Sequence, residues 1–236
     1  MDFYEQLSHY YDEIFAIDPE EMDFVKQTVE DCTRLIDVGC GTGNKTEFLA
    51  KSGRTIVGLD LDEDMIQKAR AHHRGPGIEY RAGDMLSLGH YFVPGTFDGL
   101  ICLGNTLVHL SAPGQAEAFA ADAGRLVSPG GLAVIQILNY DHILDHQVSD
   151  LPLVETRHTI FRRRYEPRGA LLGFQTRLEV RCNGIYEHEI PLRPIRRSEL
   201  EDWLAADFTD LRFYGGYDGR PLQDDSLVLL LTARRR

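Results

Sequence analysis

The segment IDVGCGTGN at residues 36–44 constrains the fold of this chain more than any other feature. Three glycines, Gly39, Gly41 and Gly43, follow a short apolar stretch and precede residues with helical spacing. A side chain in such a loop would push a ligand away from the backbone amides at the start of the helix. The next apolar stretch, 55–60, ends at Asp60, whose carboxylate is able to accept hydrogen bonds from both hydroxyls of a ribose. Together these features predict an adenosine-binding crevice.

The same alternation of strands and helices continues through the first 150 residues. The predicted strands are 34–38, 55–60, 78–81, 97–103 and 132–138, and the predicted helices between them include 62–72 and 114–127, with a PGG turn at 129–131. This alternation predicts an α/β fold with a doubly wound, seven-stranded Rossmann-like sheet. Residues 1–150 are therefore predicted to form the cofactor-binding core.

After residue 150 the sequence pattern changes to that of antiparallel strands. Residues 174–182 alternate strictly between the two faces of a strand, Asn183-Gly184 is a strong hairpin signal, and 185–192 provides the partner strand. We therefore predict a small antiparallel β lobe at 151–196, inserted after strand five and covering the acceptor. Residues 197–236 are predicted to return to the core as a helix at 198–206 and two closing strands, 208–215 and 226–232.

The composition excludes several classes of protein. The chain has 236 residues, and its formal net charge of −12 arises from acidic residues concentrated in 1–150. An acidic body repels phosphate backbones, so no nucleic-acid partner is expected. Apolar runs such as 227–231 are far shorter than the ~20 residues of a membrane helix. The first 20 residues lack Lys and Arg, unlike a targeting peptide, so a cytoplasmic protein without a membrane partner is expected.

The cysteine spacing indicates neither disulfides nor a zinc site. There is no CxxC pair, and adjacent histidines at 72–73 diverge on a helix. We predict no metal, and buried free thiols at Cys32, Cys40, Cys102 and Cys182.

Two further details of the crevice bear on its ligand. Asp84 and Met85 follow the third strand, where a carboxylate accepts from an exocyclic adenine amine and a methionine packs on the ring. A dinucleotide fingerprint has the form G-x-G-x-x-G, whereas this loop has Asn44 in place of the last glycine. A nicotinamide-dependent oxidoreductase on the same sheet is therefore the alternative rather than the first choice.

The motifs DVGCGTG, Asp60, GDM at 83–85 and PGG together resemble those of class I S-adenosylmethionine-dependent methyltransferases. Segments 97–110 and 126–144 are similar to the corresponding parts of the glycine and sarcosine N-methyltransferases. The resemblance implies transfer of a methyl group from S-adenosylmethionine directly to a small molecule, at an amine nitrogen, leaving S-adenosylhomocysteine. An O-methyltransferase of hydroxylated metabolites and a noncatalytic S-adenosylmethionine-binding protein are the remaining alternatives.

The resemblance also implies which residues bind the cofactor. Asp37 and Gly39 would hold the methionine amino group, Asp60 the ribose, and Asp84 with Met85 the adenine. A tyrosine near the N-terminus, Tyr11 or alternatively Tyr10, would shelter the sulfonium. The full predicted set comprises Tyr11, Asp37, Gly39, Cys40, Gly41, Gly43, Asp60, Leu61, Met65, Gly83, Asp84, Met85, Leu103, Gly104 and Asn105.

The acceptor is expected to meet Asn139, Tyr140, His109 and Tyr11, which form the predicted catalytic set. Asp141 and His142 are further candidates, although both residues also suit the start of a helix. The resembled family carries a charged triplet where this chain has 136–138 (QIL), which disfavours glycine as acceptor. Arg177 or one of the arginines at 162–164 is a candidate clamp for an acceptor carboxylate, or part of a solvated strand face.

Overall fold

The computed structural model describes residues 3–51, 53–181 and 183–236. Its helices are α1 (Phe3–Ile14), α2 (Pro19–Thr28), α3 (Asn44–Ala50), α4 (Glu63–His72), α5 (Leu88–Tyr91), α6 (Gln115–Leu126), α7 (Tyr140–Asp145) and α8 (Arg197–Leu204), with short 3-10 turns at Met85–Ser87 and Thr106–His109. Its strands are β1 (Arg34–Val38), β2 (Thr55–Asp60), β3 (Ile78–Ala82), β4 (Phe97–Cys102), β5 (Val127–Leu138), β6 (Val154–Glu155), β7 (Thr159–Arg168), β8 (Leu171–Val180), β9 (Gly184–Leu192), β10 (Phe208–Tyr214) and β11 (Val228–Arg235).

Seven strands form one sheet in the order β10-β11-β5-β4-β1-β2-β3. Strands β1 to β5 are parallel, while β11 runs antiparallel to both β5 and β10. The central strand β1 is apolar because helices cover both faces, and Leu35, Ile36 and Val38 are fully buried. The predicted α/β fold with a seven-stranded Rossmann-like sheet is confirmed. The carboxyl ends of β1, β2 and β4 meet at one edge, where ligands bind in such sheets.

The structure corrects the prediction of a turn at 129–131. Strand β5 begins at Val127 and runs through the Pro-Gly-Gly segment, with a register shift in its pairing to β4 between Phe97 and Gly99. Gly130 has a φ of +81°, which an L side chain rarely adopts, and a Cβ on Gly131 would lie 2.7 Å from the Asp98 carbonyl oxygen. The glycines therefore allow an irregular strand to continue close to its neighbour rather than ending it.

A second sheet of four antiparallel strands, β6-β7-β8-β9, follows α7 and precedes α8 in the chain. The predicted hairpin forms, but β8 ends at Val180, and Gly184, which the sequence placed in the turn, begins β9 and pairs with Val180. Helix α1 packs against β7 and β9. The proposed division of the chain at residues 150 and 196 remains a prediction, since a sheet boundary alone does not define a domain.

The structure bears directly on the predictions about cysteines and membrane-spanning segments. Cys32, Cys40 and Cys102 are buried free thiols, as predicted, whereas Cys182 lies outside the described residues. None of the helices that the structure describes has the length and apolarity needed to cross a bilayer.

Candidate functional site

The three loop glycines after β1 all adopt left-handed backbone angles, with φ of +76° at Gly39, +55° at Gly41 and +83° at Gly43. A Cβ on Gly39 would lie 2.3 Å from Thr106, and one on Gly43 would lie 2.5 Å from the Tyr80 hydroxyl. The space at these two positions is therefore filled by protein side chains rather than kept for the ligand, which corrects the reason given from the sequence. Gly43 itself does not line the cavity described below, unlike Gly39 and Gly41.

The acid at the end of β2 is bonded to the glycine loop. Asp60 accepts a hydrogen bond from the Gly41 N–H at 2.8 Å through Oδ2, and from the Asp62 N–H at 3.0 Å through Oδ1. Burial raises the pKa of Asp60 above its ordinary value, against the effect of these backbone N–H groups. Each carboxylate oxygen keeps a further lone pair, so Asp60 is able to accept from a pair of ligand hydroxyls while holding the loop.

Asp37, near the end of β1, is almost completely buried beneath the same loop. Its Oδ2 accepts a hydrogen bond from the Thr46 hydroxyl at 2.5 Å. Burial raises the pKa of Asp37 to about 6, although the Thr46 hydrogen bond and the nearby Lys45 act in the opposite direction. Lys45 itself is paired with Glu21 at 2.6 Å. Asp37 is thus a buried carboxylate on the cavity wall without an ion-pair partner among the described residues, and a ligand ammonium would stabilise its charge.

The segments after β2 and β3 provide a mixed polar and apolar surface. Leu61 leaves 75 % of its surface exposed, and it lines the cavity with Met65, Gly83 and Met85. Asp84 caps the short turn after β3 by accepting from the Leu86 N–H at 2.9 Å through Oδ1. Its other oxygen has no described hydrogen bond, so Asp84 is able to accept from an amine beside an apolar ring site.

The loop after β4 is held by β5. The Gly104 N–H donates to the Gln136 side chain at 2.7 Å, and the Asn105 side chain accepts from the Leu138 N–H at 2.9 Å. Leu103, Gly104, Asn105 and Gln136 all line the cavity. The sequence analysis considered Gln136 only as part of the segment that replaces the charged triplet of the resembled family. In the structure Gln136 lines the cavity and holds the loop after β4.

Helix α1 closes the cavity from the other side. Tyr11 is half-buried against Gly41, where an added Cβ would lie 3.1 Å from its hydroxyl. Burial and several nearby carboxylates raise the pKa of Tyr11, so its phenol stays protonated and able to donate. Asp12 binds the Thr42 hydroxyl and lies 2.9 Å from His73 Nε2, which ties the helix to the core. Tyr10, the alternative, does not line the cavity and contacts the His158 ring instead.

The residues described above as lining a wall all belong to one cavity of about 760 Å³. It extends from the glycine loop, past α1 and the loop after β4, to the inner face of the second sheet. Residues of that sheet on the wall are Phe161, Arg163, Tyr165, Phe174, Thr176, His188 and Ile190. This volume lies within the range of small-molecule sites. Cys40 also lines the wall, with its thiol pKa raised by burial.

His109 lines this cavity from the short turn that follows β4, and the turn contacts both β5 of the main sheet and β9 of the second sheet. Its ring is accessible through the cavity, yet enough protein surrounds it that desolvation lowers its pKa below the usual value. The ring is therefore neutral near pH 7 and able to accept a proton. Of the predicted catalytic residues, only His109 and Tyr11 line the cavity.

The structure places Asn139 and Tyr140 differently from the prediction that both meet the acceptor. Asn139 is the N-cap of α7, and its buried amide donates to the Ser226 carbonyl at 3.0 Å. Tyr140 is fully buried behind the wall, and its hydroxyl bonds Tyr165 at 3.0 Å and Asn105 at 3.0 Å. A residue that begins a helix turns its polar atoms toward the helix backbone, so Asn139 is not available to a ligand in the cavity.

Neither of the two candidates that follow lines the cavity. Asp141 accepts from Arg196 at 2.8 Å and from the Arg197 N–H at 2.9 Å, and His142 bonds the Asp224 carbonyl at 2.9 Å through Nδ1. Both residues hold neighbouring segments at the start of α7, which agrees with the alternative stated for them. Among the described His, Cys, Asp and Glu residues, no group of three or more is arranged to hold a metal ion.

The structure distinguishes between the candidate arginines. Arg162, Arg164 and Arg177 are exposed, and Arg177 pairs with Glu187 at 2.5 Å. Arg163 alone of these faces the cavity. A strand alternates its side chains between two faces, so in a run of three arginines the middle one differs from its neighbours.

The chain has clear relatives among known proteins. Residues 35–131 match the protein family described as a methyltransferase domain. Ubiquinone biosynthesis O-methyltransferase of Methylococcus capsulatus is 35 % identical over 129 residues, covering 53 % of this chain and 52 % of the relative. Glycine N-methyltransferase of Rattus norvegicus is 35 % identical over 125 residues, covering 48 % of this chain and 43 % of the relative. The chain thus spans about half the length of such curated relatives.

A solved structure shares the fold across nearly the whole chain. The S-adenosylmethionine-dependent methyltransferase of Clostridium acetobutylicum has a TM-score of 0.81 at 16 % identity, covering 98 % of each chain. Residues 35–131 are thus similar to a methyltransferase domain, and the whole chain shares its fold with a solved S-adenosylmethionine-dependent methyltransferase. The glycine N-methyltransferase resemblance is one of several within this class, and O-methyltransferases stand at least as near.

Proposed function

We propose that this protein transfers a methyl group from S-adenosylmethionine to a hydroxyl oxygen of a small molecule. The proposal depends on one observation, the continuity of a single cavity that has carboxylates at one end, the second sheet at the other and His109 on its wall. A cofactor and an acceptor bound at the two ends would meet beside His109. The proposed cofactor site consists of the predicted cofactor residues that line this cavity. Gly43 does not line it and would act only through the conformation of the glycine loop.

The cofactor end suits S-adenosylmethionine in its charges. Asp60 and Asp84 would accept from the ribose hydroxyls and the adenine amine, and Asp37 from the methionine ammonium. S-adenosylmethionine supplies a methyl group on a cationic sulfur that is already a good leaving group. A dinucleotide would instead place an anionic pyrophosphate against these carboxylates, which disfavours the oxidoreductase alternative.

At the acceptor end the protein has to orient a nucleophile and remove its proton. His109 and His188 are the histidines among the described residues that line the cavity; we assign the base to His109, on the turn after β4, because its lowered pKa leaves it neutral at pH 7. The apolar wall, including Phe161 and Phe174, would exclude water from the reacting groups. The proton would thus pass from the acceptor hydroxyl to the imidazole as the methyl group is transferred in line.

An amine nitrogen is the second candidate acceptor atom. It is favoured by the 35 % identity to the rat glycine N-methyltransferase, and a neutral His109 is equally able to take a proton from an ammonium group. The ubiquinone biosynthesis O-methyltransferase of Methylococcus capsulatus is equally similar, with 35 % identity over 129 residues. We place oxygen first because O-methyltransferases of several organisms match this chain, one of them over 87 % of its length.

The test measures S-adenosylhomocysteine formation by the purified protein with paired acceptors, each pair consisting of a hydroxyl compound and the corresponding primary amine, with glycine and sarcosine included. Titration with S-adenosylmethionine and with NAD accompanies the assay. Product from hydroxyl members supports the proposal, and product from amines alone selects the second candidate. Tight binding of S-adenosylmethionine without product from any pair would contradict the proposed methyl transfer and indicate a protein that only binds S-adenosylmethionine. Preferential NAD binding would overturn the cofactor assignment.

A further inference from the structure

Three antiparallel strands of the second sheet carry a polar row into the cavity. Arg163 on β7 is paired in register with Thr176 on β8, which is paired in turn with His188 on β9. All three residues line the cavity. Side chains opposite one another in a sheet share a face and lie close together, so these form one strip, which we call the polar row.

Apolar residues flank the polar row on both sides. In register on one side lie Phe161 and Leu178, and on the other side Phe174 and Ile190. Phe161 is buried, and the Arg163 guanidinium lies 5.7 Å from the centre of its ring. The polar row is therefore a narrow hydrophilic strip set into an otherwise apolar wall, and such a strip orients a ligand that is mostly apolar.

Arg163 has an unusual environment for a charged residue. Its Nη2 donates to the Pro152 carbonyl at 2.8 Å, and its buried Nε has no hydrogen-bond partner among the described residues. Two other arginines of this sheet are paired with acids, Arg168 with Glu166 at 2.6 Å and Arg177 with Glu187 at 2.5 Å, while Arg162 and Arg164 are exposed to solvent. Among the residues that the structure describes, Arg163 has no such ion pair, and desolvation lowers its pKa. A desolvated cation whose charge no neighbouring acid balances favours binding of a ligand that carries a negative charge.

Among the described residues, no carboxylate of the cavity forms an ion pair with Arg163. The cavity carboxylates are Asp37, Asp60, Asp62 and Asp84, which lie at or just after the carboxyl ends of the first three strands of the main sheet. The cavity thus has acids at one end, where the lining Lys45 is already paired with Glu21, and the cation of Arg163 on the wall formed by the second sheet. A cationic cofactor beside the acids and an anionic acceptor beside Arg163 fit this distribution of charge.

We propose that the methyl acceptor carries a carboxylate that binds Arg163 in the polar row, with the Thr176 hydroxyl beside it. The inference rests on the proposed function, because it assigns the substrate class of the same site. The planar guanidinium matches the geometry of a carboxylate, and one arginine balances its single charge. The flanking aromatic and aliphatic side chains would hold the apolar body of the acceptor, with its nucleophile directed toward His109.

The test compares carboxylates with their neutral amides on protein saturated with S-adenosylhomocysteine. The probes are 3,4-dihydroxybenzoate with 3,4-dihydroxybenzamide, and phenylalanine with phenylalaninamide, measured by calorimetry. The variant Arg163→Met keeps an unbranched chain and removes the charge. Arg162→Met is the matched control, because its side chain is exposed on the neighbouring position of the same strand.

We expect at least one carboxylate to bind the unmodified protein at least tenfold more tightly than its amide. This preference should disappear in Arg163→Met and persist in Arg162→Met, while S-adenosylhomocysteine affinity stays within twofold in both. Arg163→Lys, which keeps the charge but not the planar geometry, should retain part of the preference and provides a second variant if Arg163→Met does not fold.

Equal binding of acid and amide in both pairs, or a preference unchanged in Arg163→Met, would overturn this proposal. Either result is separable from failure of the proposed function, since that is judged from S-adenosylmethionine binding and product formation. If the protein methylates neutral hydroxyl compounds and shows no preference for carboxylates, the proposed function stands and the proposal of a carboxylate-bearing acceptor is wrong.

Discussion

The carboxylate of Asp60 is hydrogen-bonded to the backbone N–H of Gly41 at 2.8 Å. Asp60 ends β2, and Gly41 lies 19 positions earlier, in the loop that follows the adjacent parallel strand β1. The acid that would bind a ribose therefore also holds the loop that would cradle the rest of the cofactor. A substitution at Asp60 is expected to affect both.

Asp60→Ala should weaken S-adenosylmethionine binding by about tenfold to a hundredfold, since it removes the acceptor for two hydroxyls and frees the Gly41 N–H. Calorimetric titration measures the affinity. Glu63→Gln is the control, because Glu63 is exposed nearby, does not line the cavity and is ion-paired with Arg70 alone among the described residues. An affinity unchanged in Asp60→Ala would remove Asp60 from the cofactor site.

Asp37 predicts a pH dependence of cofactor binding. Its pKa of about 6 in the free protein means that it is ionised above pH 7 and increasingly protonated below pH 6. An ammonium ligand binds the ionised form, so S-adenosylmethionine affinity should be constant near pH 7–8 and fall as the pH drops through 6. Titrations between pH 5 and pH 8 measure this. In Asp37→Asn the affinity should be lower throughout and the decline near pH 6 should be lost.

His109→Gln should lower kcat by about a hundredfold or more, with little change in cofactor affinity, because a base is removed without disturbing the carboxylate end. The rate of the unmodified protein should fall as the pH decreases through the lowered pKa of His109, where the ring becomes charged. An acid limb above pH 6.5 would contradict this assignment. His90→Gln, at an exposed histidine on α5, is the control.

Asn139→Ala should destabilise the protein by about 1–3 kcal/mol, since the Ser226 carbonyl loses its donor and α7 loses its cap. Thermal and urea unfolding measure the change, and Asp225→Ala, at an exposed position of the same loop, is the control. The rate per folded molecule should stay close to that of the unmodified protein. A large loss of kcat in fully folded Asn139→Ala would restore the role predicted from the sequence.

Gly43→Ala tests why the loop glycines are needed. Both Gly43 and Gly53 have left-handed φ angles, so alanine costs about 1–2 kcal/mol at either position. A Cβ at Gly53 meets nothing within 4 Å, whereas one at Gly43 meets the Tyr80 hydroxyl at 2.5 Å. Gly43→Ala should therefore be clearly more destabilising than Gly53→Ala in urea unfolding. Equal effects would mean that only the backbone angle matters.

The cofactor end was largely predictable because its residues follow consecutive parallel strands. In such a sheet the carboxyl ends of neighbouring strands meet, so Asp37, Asp60 and Asp84 come together without any knowledge of side-chain packing. The acceptor end was predicted less well. Asn139 and Tyr140 were placed in it by resemblance, yet one caps a helix and the other lies behind the wall.

The amino-acid sequence by itself determined the α/β sheet, the glycine loop and the acids beside it, because each depends on periodicity and on residues close in the chain. Only the tertiary structure decided that Gln136 holds the loop after β4, that the glycines at 39 and 43 make room for Thr106 and Tyr80, and that Arg163 faces inward between two exposed arginines. These features depend on strand register and on contacts between segments far apart in the chain, where a shift of one residue would turn every side chain to the other face.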